Sequence, residues 1–72
     1  MKSDEEIVKS ANDLARSFYA IMGYYVAADY QFYEATHPQE MMCWRMAVKA
    51  FDEVNGTDVE NAMCSLEELD EK

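Results

Sequence analysis

The chain has 72 residues, half of them hydrophobic, and its 15 acidic against 6 basic side chains leave a formal net charge of −9. That length bounds it to one small domain whose core contributes only about 3–5 kcal/mol, so a second copy or another partner is expected to complete it. The charge excludes a direct grip on nucleic acid or on an anionic membrane, both of which rest on Lys and Arg meeting phosphate, and the apolar half excludes a disordered tail.

Three capping-box signatures announce three helix starts: Ser3-Asp-Glu-Glu6, Thr36-His-Pro-Gln39 and Thr57-Asp-Val-Glu60. In each, a hydroxyl accepts from a backbone N–H three residues on, and a Glu or Gln answers back. The first helix is predicted over 4–22, where Ile7, Ala11, Leu14, Phe18 and Ile21 repeat at four- and three-residue spacing, widened by Val8, Ala15 and Met22. Glu5, Lys9 and Asp13 stand four apart on its polar face. Gly23 is the expected stop, because it accepts the left-handed conformation without penalty.

Residues 24–37 form a long connector. Seven of the nine aromatics lie between positions 18 and 33: Phe18, Tyr19, Tyr24, Tyr25, Tyr30, Phe32 and Tyr33. That much aromatic surface has to find cover, so the connector is expected to lie across the helices, with a turn of helix opening at Asp29.

The second helix is predicted over 38–54. Pro38 suits the first helical position and steers the residue before it out of helical geometry, which favours His37 over Thr36 as cap. Three apolar rows follow: Met41, Trp44, Val48 and Phe51; Cys43, Ala47, Ala50 and Val54; and the pair Met42–Met46. Only Arg45, Lys49, Asp52 and Glu53 leave a polar seam. A helix apolar on so many sides reads as the central element, with Trp44 in the core.

Asn55-Gly56 reads as a tight helix–helix turn, since the periodicity on both sides is helical. Thr57 is the expected cap of a third helix over 58–69, with Val59, Ala62, Met63, Leu66 and Leu69 as its apolar stripe. Its outer face reads as wholly acidic: from Ala50 to Glu71 there are eight acidic residues and no basic one. The fold class is therefore a small all-α, three-helix domain with an aromatic-rich connector between helices 1 and 2.

Catalysis and metal binding lack the residue patterns they need. Cys43 and Cys64 have one histidine, His37, as a candidate base, six residues before Cys43 and better placed as a cap. His37, Met41, Met42, Cys43 and Met46 contain no Cys-x-x-Cys and no second imidazole, so neither metal nor other cofactor is expected. Two glycines in all rule out a glycine-rich phosphate loop. Two cysteines and no basic-then-apolar leader point to a reduced, cytoplasmic protein, and the longest uncharged run, Ser17 to Ala28, is too short to span a bilayer.

Two candidate interaction surfaces remain. One combines Tyr24, Tyr25, Tyr30 and Tyr33 with Met42 and Met46, residue types that add contact area at low entropic cost. The other is the acidic array of Asp58, Glu60, Glu67 and Glu68 with the tail Asp70-Glu71, a geometry able to imitate nucleic-acid phosphates. Both lead to a protein that binds and does not turn over substrate.

The segment Phe32-Tyr-Glu-Ala-Thr-His-Pro-Gln-Glu, with Cys43-Trp44, Met46-Ala-Val-Lys-Ala, Gly56-Thr-Asp-Val-Glu and Leu66-Glu-Glu-Leu, resembles small early-region proteins of tailed phages and prophages. Among these it resembles the short open reading frames of lambda-like phages between the exonuclease and excisionase genes. The resemblance implies a protein of the bacterial host cytoplasm that binds a host protein, modulating the lysis–lysogeny choice, host replication or host defence. The alternative is a nucleic-acid mimic of the anti-CRISPR type, seated in a DNA- or RNA-binding cleft. The resemblance assigns no catalytic residue.

Overall fold

The computed structural model describes residues 3–70, apart from the side chains of Leu69 and Asp70. The last member of the expected apolar stripe, Leu69, and the acidic tail Asp70-Glu71 therefore lie outside the described side chains. Three helices form, α1 (Asp4–Ile21), α2 (Pro38–Asn55) and α3 (Val59–Asp70), with a single 3₁₀ turn over Phe32–Glu34. No strand occurs among the described residues, and no helix there is long and apolar enough to cross a membrane. The three-helix, all-α expectation holds.

The Ser3 capping box forms in full. The Glu6 N–H donates to Ser3 Oγ at 3.2 Å, and the Ser3 N–H donates to the Glu6 carboxylate at 3.1 Å. At the other end of α1 the Gly23 N–H reaches the Ala20 carbonyl and the Tyr24 N–H the Tyr19 carbonyl, at 2.9 and 3.1 Å. This paired closure needs φ +96° at Gly23, which is why glycine stands there. His37 caps α2, its Nδ1 accepting from the Gln39 N–H at 3.2 Å. Gly56 ends α2 at φ +66°.

The third cap differs from the expectation. Thr57 does not cap α3: its hydroxyl donates to Asp52 Oδ1 at 2.7 Å. Asp58 takes the capping role, its Oδ1 accepting from the Asn61 N–H at 3.1 Å. The Asp52 carboxylate accepts from the Val59 N–H as well. A carboxylate outbids a hydroxyl for helix N–H groups, and the turn brings Asp52 within reach of both Thr57 and Val59.

Centrality is also corrected. The hub is α1, not α2: both α2 and α3 pack on α1 and scarcely touch each other. Side-chain size explains this. The buried face of α1 is Val8, Ala11, Asn12, Ala15 and Tyr19, and its alanines let two neighbouring helices approach closely. Of the three apolar rows of α2, only Cys43 and Ala47 are fully buried. Trp44 is half-buried, packed against the core cluster of Ala15, Tyr19, Phe32, Cys43 and Ala47 rather than within it. Met41, Met42, Met46 and Val54 stay exposed.

Candidate functional site

The connector is fixed to α1 by two polar residues. Asn12, buried on the apolar face of α1, donates from Nδ2 to the Tyr30 carbonyl at 2.9 Å and accepts from the Phe32 N–H at 2.7 Å. One turn on, Arg16 donates to the Ala28 and Tyr30 carbonyls at 2.6 and 3.3 Å while holding Asp13 at 2.8 Å. Lys9 also meets Asp13 at 3.0 Å, and these cations hold its carboxyl below the usual range. With its backbone fixed this way, the connector drops Phe32 into the core at 1% exposure. The expected turn of helix forms three residues later than Asp29, as the 3₁₀ turn that carries Phe32.

Aromatic packing then sorts the tyrosines. Phe32 meets both Tyr19 and Tyr30 edge to face, with ring centroids 5.5 and 5.0 Å apart. Tyr19 and Tyr30 both donate their hydroxyls to the carboxylate of Glu40 in the first turn of α2. That bond and partial burial push the Tyr30 phenol up to about 12. Burial and the same carboxylate raise Tyr19, and burial followed by Glu40 raises the Cys43 thiol.

A phenol whose folded pKa lies above its ordinary value of 10.0 stabilises the fold below pH 10.0, and that stabilisation is lost as pH climbs through about 12. Tyr30→Phe is therefore expected to flatten the alkaline fall in melting temperature over that window. An unchanged alkaline fall in the variant would remove Tyr30 from the Glu40 node.

The residues expected to form one tyrosine–methionine surface are divided between places. Tyr30 is an internal strut. Tyr33 lies at the edge of exposure, its ring 5.7 Å from that of Trp44. Tyr24 stacks on Tyr19 at 5.1 Å yet remains exposed, and Tyr25 is 83% exposed. Met22, exposed beside them, brings its Sδ 3.5 Å from Cys43 Sγ. Met42 and Met46 sit together on α2, one helical turn apart, both exposed.

On α3 the acidic set is only partly one surface. Asp58 serves as cap, while Glu60, Glu67 and Glu68 are exposed and, among the described residues, form no ion pair. Asn61 and Cys64 share the exposed side, so the outer face is not wholly acidic. Glu60 borders a shallow groove of about 410 Å³ between α2 and α3, floored by Trp44 and Val48. Of the polar groups on its rim, Lys49 pairs with Glu53 at 3.0 Å and Asp52 serves α3, while Arg45 and Glu60 form no ion pair among the described residues. The volume would admit a small ligand, and Arg45 and Glu60 are the charged groups left to orient one.

No group of three or more His, Cys, Asp or Glu converges as a metal site among the described residues. His37 Nδ1 is engaged as a cap, and Cys43 is buried beside Met22. Sequence reasoning did not single out Asn12, Arg16 or Glu40. Asn12 had a signal: an amide amid Val8, Ala11, Ala15 and Tyr19 must have buried partners. Comparison of the chain with protein-family models, curated proteins and solved structures finds no match.

Proposed function

We propose that this chain is a non-catalytic, phage-type early protein that binds a host protein in the bacterial cytoplasm and modulates it. The observation that carries this reading is the rim at the end of α1. Met22, Tyr24 and Tyr25 are exposed together on a backbone closed by Gly23, with Tyr24 braced on Tyr19. Aromatic side chains held on a rigid backbone lose little entropy on binding and make effective anchors. The resemblance to lambda-like early-region proteins supports the host-directed role.

A second reading draws on α3. Glu60, Glu67 and Glu68 face solvent without a described counter-ion, and Glu60 and Glu67 repeat at seven residues, about two helical turns. This favours a nucleic-acid mimic whose carboxylates occupy a basic cleft.

Affinity capture from bacterial lysate, followed by titration of the recovered protein, separates the two. Under the first reading Tyr24→Ala with Tyr25→Ala weakens binding by more than about 1 kcal/mol, Glu67→Lys with Glu68→Lys changes little, and added salt has a small effect. Under the second the ranking inverts, binding falls steeply with salt, and DNA or RNA competes. A captured partner indifferent to both pairs of substitutions contradicts both.

A further inference from the structure

The α1–α2 layer has two sides, and the described residues cover one of them. On α1, Asn12 and Arg16 point to the connector, so helical periodicity places Leu14, Phe18 and Ile21 on the opposite flank. On α2, Trp44 points to Tyr33, which places Met42 and Met46 on the opposite flank by the same rule. Tyr19 reaches Glu40 and Met22 reaches Cys43, so the end of α1 meets the start of α2 and the helices run antiparallel. In an antiparallel pair those two flanks share one side of the layer. The connector lies on the other side, and α3 with it, where Met63 and Leu66 border the same hollow as Tyr33 and Val8.

The uncovered side is apolar and incompletely buried. Ile21 is 81% exposed, Met42 59% and Met46 44%, while Leu14 and Phe18 are half-buried. Its uncharged polar members are Ser10, Ser17 and Gln39, and Lys49 and Glu53, which continue the Met42–Met46 stripe at three- and four-residue spacing, neutralise each other at 3.0 Å.

The geometry points to this face pairing with the same face of a second copy. Charge selects the occupant. A basic partner finds no net counter-charge here and is drawn to α3, whereas the face of a second copy is equally apolar and carries only the same neutralised pair. Two-fold pairing through this face is self-complementary. It places both α3 helices on the outer sides, so two chains of net charge −9 meet where their charge is least. It also supplies the additional core that a chain this small needs.

Sedimentation equilibrium at micromolar concentration tests the pairing. The native protein is expected to be a dimer. Met42→Lys with Met46→Lys is expected to raise the dissociation constant by at least about tenfold with helical circular dichroism retained. Glu67→Lys with Glu68→Lys, on the outer helix, is expected to leave the dimer intact. Should the methionine variant lose helicity, Ile21→Lys makes the same test at the most exposed position of the face. A native protein that stays monomeric, or a dimer unmoved by these face substitutions, overturns the proposal. A monomer that still captures its host protein overturns the pairing alone, and a dimer that captures none overturns the host-binding reading alone.

Discussion

Phe32→Ala is expected to cost about 3–5 kcal/mol, the range for truncating a fully buried phenylalanine, and so to unfold most of the protein at room temperature. The magnitude follows from position. Phe32 is 1% exposed and touches two aromatic rings, and its cluster includes Ala15, Cys43 and Ala47 from both α1 and α2. Neighbours are poorly placed to fill the space, because Ala15, Cys43 and Ala47 are small and anchored on helices, while Tyr19 and Tyr30 are held by their hydroxyls on Glu40. A whole domain of this size has only about 3–5 kcal/mol to lose. Thermal denaturation followed by circular dichroism reads the result. A variant that melts as the native protein does would place Phe32 outside the core.

The residue of largest effect thus lies in the connector, where helical periodicity offers no guide. Helix existence and type were legible because Ile7, Leu14, Phe18 and the rows of α2 repeat at helical spacing, and because Ser3, Gly23, Pro38 and Gly56 mark the ends. Centrality was not legible from apolar rows. A row states what a helix is able to bury, whereas Ala11 and Ala15 decide how closely neighbours approach, which gives α1 two partners. The third cap was misplaced by one residue because the box pattern treats Thr57 and Asp58 as equivalent. Only the fold brings Asp52 to Thr57, five residues away, and leaves Asp58 to accept from Asn61.

The candidate surfaces divide in the same way. Tyr25, Met42, Met46, Glu67 and Glu68 are exposed. Tyr30 and Tyr33 share residue type and neighbourhood with Tyr25 but are turned to Glu40 and Trp44 by tertiary contacts. The sequence pattern cannot sort them, because a tyrosine carries both an apolar ring for the core and a hydroxyl for water.

Asn12→Ala is the second large effect. It removes the acceptor of the buried Phe32 N–H and the donor to the Tyr30 carbonyl. A stranded buried donor costs about 1–3 kcal/mol, and the Tyr30 carbonyl keeps only the longer contact to Arg16 at 3.3 Å. Denaturant unfolding of the variant is expected to show this loss with helical content retained in its folded baseline, since Asn12 holds the connector and not α1 itself.

The connector is a built layer of the domain, fixed on one side of α1 and α2 so that the other side and the tyrosine rim stay available for binding. Native-state amide exchange at Phe32 tests this most directly. Its N–H donates to Asn12 within the core, so it is expected to exchange as slowly as the central amides of α1, and Asn12→Ala is expected to release it ahead of those amides. Exchange of the native Phe32 amide at the rate of an open loop would contradict the account.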